Sequence, residues 1–325
     1  MTTRRWLLSF MILCLVALPI LAADPALMKL VPSDAKIMGG MNLEQAKGTP
    51  FGQFVLKQIQ TDDAELMKLM AATGFDPRRD LREVVFASNG TKGPGHQNGF
   101  VAVSGVFDPG RIVAAAKEHG ATVTSYAGVD IFVSDKGPNA GGFALLSSSI
   151  AVAGGSDQVR AAIDRHQKGG SGPSATLAGK AAEWSGKADA WVVTAGSPSD
   201  WTRHMPPGQA EGPMKAVPLD AIEQSAGGLK FGSVVTLLAE AVARTDKDAT
   251  ALADVIRFVA GMVQLNREKP ETAEIAALVD SMQLTTESRT VRLVLSMPEE
   301  QLEKMIQSHK QGPARRAAPR KRATI

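Results

Sequence analysis

Apolar residues in the C-terminal third of the chain follow first a helical period and then the period of a strand. Steps of three and four residues separate Leu252, Val255, Ile256, Val259 and Val263. This spacing places them on one face of a helix, and the hydroxyl of Thr245 is suited to cap the helix start. Steps of two then separate Val291, Leu293, Leu295 and Met297. Residues 245–308 therefore predict a helix, a shorter helix, two strands and a final helix.

A looser version of the same order occupies residues 50–118, where two helical patterns precede two strand-like runs and a further helix. We interpret the two stretches as one α+β unit used twice, although alternating helices and strands produce such echoes by themselves. Between residues 122 and 153, four short apolar runs separated by tight turns predict an antiparallel meander. The predicted fold class is α+β, with antiparallel sheets covered on one face by helix pairs, in two similar halves.

Glycine-rich and basic segments indicate how the chain is divided. The sequence KGGSGPS at residues 168–174 predicts a linker between an N-terminal α+β half at 24–167 and a C-terminal α+β half at 175–309. Residues 310–325 contain six lysines and arginines, no acidic residue and no apolar period. That composition predicts a basic, disordered tail.

The first 23 residues have the organisation of an export signal. Arg4 and Arg5 precede an apolar run over residues 6–20, and Ala22 and Ala23 supply small residues for cleavage after position 23. The alternative is a retained membrane anchor, which the short apolar run and Pro19 disfavour. We therefore predict an exported protein, either periplasmic or secreted.

Cysteine content removes several chemistries. Among the 325 residues the single cysteine is Cys14, which lies inside the predicted signal. A processed chain would have no cysteine, and this excludes internal disulfides, thiol nucleophiles, zinc–thiolate sites and cysteine-held iron–sulfur clusters.

Charge distribution limits the possible partners. The net charge is +3. The basic residues of the leader and the tail together contribute more positive charge than this, so the body between them is acidic. A nucleic-acid-binding domain should instead carry its positive charge on a folded face, so we expect no specific nucleic acid. Membrane contact is expected at most through the basic tail, which is otherwise solvated.

Several runs resemble a pattern seen in uncharacterised exported bacterial α+β proteins. The runs are YAGVDI at 126–131, FALL at 143–146, IAVAGG at 150–155, VRAAID at 159–164 and ADAWVV at 188–193. The resemblance covers most of the chain beyond the leader, and its motifs are structural. It implies a fold and an exported location, and it assigns no catalytic residue.

Motifs of known chemistry are absent or incomplete in the sequence. Residues 172–180 lack the spacing of a phosphate-binding loop, and Ala181 stands where Ser or Thr should bind magnesium. Ser33 and Lys36 have Ser-x-x-Lys spacing, but a predicted strand follows at once where a helix is needed. No two histidines have metal-ligand spacing on one helix. We therefore assign no catalytic residue, no metal ligand and no cofactor.

The proline-rich stretch at residues 196–218 is the longest irregular segment. Trp201, Arg203 and His204 in it form a candidate loop for a partner or a sugar, because an aromatic ring beside cations suits recognition. Alternatively, Trp201 attaches the loop to the body. The favoured function is a non-catalytic exported binding or scaffold protein of unknown ligand, and the candidate partners are an envelope protein, a surface polymer or an apolar ligand. The alternatives are a carrier that holds an apolar ligand between sheet and helices, and a hydrolase whose site is assembled from distant residues.

Overall fold

The computed structural model describes residues 23–57, 64–90, 99–118, 120–133, 141–198 and 219–310. Within them, eleven α-helices and one antiparallel sheet of twelve strands confirm the predicted α+β class. The strands are β1 (Ile37–Asn42), β2 (Leu81–Ser88), β3 (Gly99–Gly105), β4 (Thr122–Tyr126), β5 (Val129–Val133), β6 (Gly141–Leu145), β7 (Ile150–Gly155), β8 (Ala190–Ala195), β9 (Ile222–Lys230), β10 (Val234–Ala243), β11 (Gln283–Glu287) and β12 (Thr290–Pro298).

The helices occupy the connections between these strands, and a 3₁₀ turn, Leu219–Ala221, precedes β9. They are α1 (Pro25–Leu30), α2 (Leu43–Lys47), α3 (Pro50–Lys57), α4 (Ala64–Thr73), α5 (Pro77–Asp80), α6 (Pro109–Glu118), α7 (Ser156–Lys168), α8 (Ala175–Lys187), α9 (Asp246–Leu265), α10 (Pro270–Asp280) and α11 (Glu299–Lys310).

All twelve strands belong to one continuous sheet with the order β11-β12-β10-β9-β8-β1-β2-β3-β7-β6-β5-β4. Strand β1 joins its two sides, because β1 pairs with β2 along one edge and with β8 along the other. The chain therefore forms a single sheet, where the sequence analysis expected several. The stretches at 50–118 and 245–308 occupy different places in it, since β2 and β3 are internal whereas β11 is an edge strand.

One face of the sheet is buried beneath α1, α7 and α8, and we call it the closed face. Met38, Val85, Phe100 and Val193 point to this face from the central strands. They form the largest core with apolar helix residues, namely Leu27, Leu30, Val159, Ile163, Leu177 and Trp184. Burial of these residues is the main stabilising contribution of the fold.

The opposite face, which we call the open face, is covered only in part. Helices α3 and α11 contact it through a cluster of Phe51, Phe54, Phe231 and Val235. Helix α9 contacts it near β10 and β12, through Leu252 against Ala243 and Val291. Helices therefore lie on both faces, and the prediction of helix pairs on one face is wrong. Apolar periodicity shows that a helix has a buried side, but it does not show which sheet face receives that side.

Candidate functional site

An apolar groove lies on the open face, over strands β1, β2, β8, β9 and β10, and its volume is about 520 Å³. It occupies the part of the sheet between the cluster of α3 and α11 and the cluster of α9. Strand register determines which side chains form the floor of the groove, because residues paired across antiparallel strands point to the same face of the sheet.

The first row of the groove floor alternates large side chains with glycines. Phe86 on β2 pairs with Gly39 on β1, and Gly39 pairs with Val192 on β8. Val192 then pairs with Gly227 on β9, and Gly227 with Ala239 on β10. Phe86 is 40% exposed and Val192 is 36% exposed, which is high for large apolar side chains in the middle of a sheet. Gly227 lowers the floor beside Val192, because it adds no side chain to the face.

Gly39 has a second role, which is close packing. A Cβ atom at this position would lie 2.3 Å from a carbon of the Phe86 ring and 2.7 Å from the carbonyl oxygen of Trp191. The ring of Phe86 therefore lies across the bare backbone of β1 and forms one side of the groove. At Gly227 a Cβ atom would meet only Leu238 O at 3.5 Å and Val192 at 4.0 Å, so this position is open.

The second row of the floor is apolar at every position. It runs from Val84 on β2 through Met41 and Ala190 to Leu229 and Leu237. Met41, Ala190 and Leu229 also pack against the cluster of Phe51, Phe54 and Phe231, so this row ends under α3 and α11. Leu237 is 36% exposed. The groove thus has an apolar wall along this side.

Polar side chains border the first row on its other side. Thr194 and Ser225 pair across β8 and β9, and their hydroxyl oxygens are 3.0 Å apart. Thr194 is buried, and its hydroxyl oxygen also accepts a hydrogen bond from the backbone nitrogen of Ser225 at 3.0 Å. These hydroxyls satisfy one another, so the polar margin of the groove is already hydrogen-bonded.

No charged side chain lines the groove within the described part of the chain. Burying a polar group there without a partner would cost about 1–3 kcal/mol. The arrangement can therefore hold an apolar group, and it offers no acid, base or nucleophile for a chemical step.

The buried charges of the sheet centre lie on the closed face instead. Glu240 on β10 is buried, and it accepts hydrogen bonds from Lys180 of α8 and from Arg292 Nε of β12, the latter at 3.0 Å. Burial alone would raise the pKa of Glu240, but hydrogen bonds from the two cations outweigh burial and lower that pKa. Arg292 also bonds Glu287 at 3.0 Å. This network ties α8 to β10 and β12.

The predicted loop residues Trp201, Arg203 and His204 lie outside the described residues, as do the leader up to residue 22 and the tail from residue 311. Across the described ranges, no group of three His, Cys, Asp or Glu side chains is placed to hold a metal ion. In the same ranges, no helix is both long enough and apolar enough to cross a membrane.

The groove was missed in the sequence, although a signal for it exists. Two glycine pairs, Gly39-Gly40 and Gly227-Gly228, lie inside strands β1 and β9. Glycine inside a strand weakens it and marks a close approach of backbone or a ligand. That two such pairs meet on neighbouring strands follows only from the pairing of β1 and β9 with β8.

No protein-family model and no curated protein matches the chain. Similar solved structures include three crystal forms of TP0453, a Treponema protein. Form III has a TM-score of 0.50 at 10% identity, over 88% of this chain and 99% of that chain. Form IV has a TM-score of 0.49 at 12% identity, over 88% and 98%. Form I has a TM-score of 0.45 at 10% identity, over 88% and 98%. Similarity at such low identity is one of fold alone, and in that sense the chain resembles TP0453.

Proposed function

We propose that this protein is a non-catalytic binding protein that holds an apolar ligand in the groove of the open face. The observation that carries the proposal is the continuous apolar floor between two helix-covered regions of the same sheet. Phe86, Val192 and Leu237 leave large apolar areas exposed there, which a soluble protein ordinarily covers.

The size of the groove favours a small ligand over a protein. Its volume of about 520 Å³ falls in the range of small-molecule sites, about 300–1,000 Å³. A stable protein interface needs about 1,200–2,000 Å² of buried surface and roughly one hydrogen bond per 100–200 Å². The apolar floor supplies few such donors or acceptors. A hydrocarbon chain needs none, and it gains about 25 cal/mol for each Å² removed from water.

Because residues 1–23 are predicted to be an export signal, we propose a periplasmic or secreted location for this function. The groove is a shallow, open depression between the helix clusters, so an apolar molecule bound there would be covered on the side that faces the sheet.

Filling the groove is the direct test. We expect Gly227→Val to weaken binding of a fluorescent long-chain fatty acid at least about tenfold, because the added side chain would overlap with the ligand. A tenfold loss of affinity corresponds to only about 1.4 kcal/mol of binding free energy. The Cβ atom of the new side chain would meet no atom closer than ordinary contact, so we expect the fold to persist. Binding is measured by fluorescence titration, and folding by circular dichroism.

The matched control is Gly141→Val, the same change in strand β6, far from the groove. A Cβ atom at Gly141 meets only the backbone oxygen of Gly154 at 3.7 Å. This variant should bind the fatty acid as the native chain does.

Native protein should also release an apolar compound on solvent extraction, identified by mass spectrometry. Equal binding by all three proteins, with nothing extracted, would overturn the proposal.

A second candidate function rests on the outer surface of α9. Phe258, Met262 and Leu265 are 65%, 50% and 86% exposed, and they recur at steps of four and three residues. They therefore form one apolar stripe facing away from the sheet. A stripe with this spacing fits a hydrophobic groove on a partner protein, as in recognition of an amphipathic helix. It supports the scaffold function with an envelope protein as partner.

We expect a photo-crosslinking residue at Leu265 to capture one partner of discrete mass in the exporting cell. Lys247, exposed at the other end of the same helix, is the control position and should give no product. Phe258→Ser should abolish the product from position 265 and change stability by less than about 1 kcal/mol, because its side chain is mostly in water. Equal products from 247 and 265 would contradict partner binding by this stripe.

A further inference from the structure

A buried carboxylate lies beside the predicted cleavage site. Glu83 of β2 is 9% exposed, and its two oxygens are 3.2 and 3.1 Å from the backbone nitrogen of Asp24. Asp24 is the N-cap of α1 and immediately follows Ala23. In the described part of the chain, no lysine, arginine or histidine forms an ion pair with Glu83.

A carboxyl group at this depth is accommodated either by protonation or by a positive partner. The pKa of Glu83 is raised to about 7, mainly by burial; the hydrogen bond from Asp24 N acts in the opposite direction, and the nearby Asp24 carboxylate makes a smaller contribution to the increase. The nearest lysine on α2, Lys47, bonds Glu44 and the carbonyls of Arg79 and Leu81 instead. A charged Glu83 without a counter-charge would cost several kcal/mol.

Cleavage of the chain immediately before Asp24 would supply a positive charge at this position. We propose that a signal-peptidase-type enzyme cleaves the chain between Ala23 and Asp24, and that the new α-ammonium of Asp24 forms a buried ion pair with Glu83. Both halves of the pair are already within hydrogen-bond distance, so cleavage adds a charge without moving the atoms.

The chemistry of the step is a hydrolysis. The bond between the carbonyl carbon of Ala23 and the nitrogen of Asp24 breaks. Water gives its hydroxyl to the Ala23 carbon and a proton to the Asp24 nitrogen, which takes up a further proton from solvent at neutral pH. The hydrogen bond from the Asp24 amide N–H to Glu83 is then replaced by a hydrogen bond from the Asp24 ammonium. Hydrogen bonds between charged groups are about twice as strong as those between neutral groups.

Cleavage must precede folding. Ala23 is buried at 9% exposure, and its nitrogen donates to Ser185 Oγ at 2.9 Å. A peptidase cannot reach this bond in the folded protein, whereas an export signal is cut while the chain is still extended. The ion pair therefore forms as α1 docks on the sheet, and it fixes the new terminus in place.

Cleavage after Ala22 and cleavage after Ala23 would place the new ammonium against different side chains. A cut after Ala22 would place the ammonium on Ala23, against the hydroxyl of Ser185. That hydroxyl is neutral and already donates to the carbonyl of Ala182 at 3.2 Å. Glu83 would then remain without a cation. Of the two possible new termini, only the one at Asp24 would therefore place its ammonium against Glu83.

The ion pair is tested by a four-protein comparison. One chain begins at Asp24 and another at Ala22, and Glu83→Gln is made in each. We expect the substitution to lower the melting temperature by about 5–10 °C in the chain that begins at Asp24, since it leaves a buried ammonium without its partner. In the chain that begins at Ala22 the loss should be less than half as large. Glu44→Gln, at an exposed site on α2, should have little effect in either chain. Equal losses in both chains would overturn the ion pair.

The pH dependence of stability gives an independent readout. In the full chain the pKa of Glu83 is about 7, above its ordinary value of 4.5, and a chain that begins at Ala22 should share this raised pKa because it keeps the amide nitrogen of Asp24. Protonated Glu83 therefore stabilises the fold at acid pH, and this stability is lost as pH rises from about 4.5 through 7. In the chain that begins at Asp24 the ammonium lowers the pKa of Glu83, so this loss should disappear. The same decline in both chains would contradict the ion pair.

The site of cleavage is read directly by N-terminal sequencing of the protein exported from cells that express the full chain. Asp24 is expected as the first residue, and any other first residue would overturn the assignment. The apolar groove is not involved in either readout, so failure here leaves ligand binding untouched.

Discussion

Replacing Phe100 with alanine is expected to lower the free energy of unfolding by about 3–5 kcal/mol. Phe100 lies on β3 at 1% exposure and is the largest of the fully buried side chains. It packs in the core of the closed face, with the Arg165 guanidinium 5.9 Å from its ring centre. Truncation leaves a cavity that the surrounding helices and strands can fill only in part. Urea unfolding followed by circular dichroism measures the loss.

The same change at an exposed phenylalanine provides the control. Phe258→Ala on α9 removes a ring that is 65% exposed, and it should change stability by less than about 1 kcal/mol. Equal losses at positions 100 and 258 would show that the closed face does not carry the stability of the sheet. A loss at position 100 below about 1 kcal/mol would contradict the packing there.

Replacing Glu240 with alanine is expected to cost about 3–5 kcal/mol as well, for an electrostatic reason. Glu240 is 8% exposed and bonds both Lys180 and Arg292. Its removal leaves the Lys180 ammonium, whose side chain is only 21% exposed, without a partner against the sheet. Thermal unfolding at neutral pH measures the effect.

Glu223 on β9 supplies the matched control for this second change. It pairs with Arg289 at 3.1 Å, but both side chains are nearly half exposed. Glu223→Ala should therefore cost no more than about 1 kcal/mol. Combining Lys180→Met with Glu240→Leu should restore most of the stability, because an apolar pair avoids the cost of buried charges. Failure of the double variant to recover would point to a packing role for Glu240.

Acid should weaken the same network. The pKa of Glu240 is lowered in the folded state, as hydrogen bonds from Lys180 and Arg292 outweigh burial. A carboxyl with a lowered pKa contributes stability above its ordinary value, and this stability is lost as pH falls through the folded pKa. Native protein should therefore lose stability at pH values below about 4, and Glu240→Ala should lose less over that interval.

The groove floor includes β1 and β2 on one side and β8, β9 and β10 on the other, so it spans the junction at the β1–β8 pair.

A duplication of the two halves stays a prediction, and so does the linker at residues 168–174. In the structure, residues 169–174 connect α7 to α8, with Ser174 capping the latter.

Local sequence signals were sufficient for elements whose hydrogen bonds are local. Thr245 caps α9 as predicted, and its hydroxyl oxygen accepts a hydrogen bond from Asp248 N at 3.1 Å. The hairpin of β4 and β5 turns at Ala127 and Gly128, both with positive φ, as glycine in the turn predicts. Such features depend on a few neighbouring residues, which the sequence displays directly.

By itself, the sequence determined the α+β class, the position of α9, the β4–β5 hairpin and the presence of a single cysteine, at position 14. Only the tertiary structure decided that the strands form one sheet, that helices occupy both of its faces, and that a groove remains between them. It also placed Glu83 against Asp24, 59 residues away along the chain. The physical reason is that a period of two or of 3.6 residues reports which side of an element is buried, whereas strand partners and helix placement depend on contacts between distant residues.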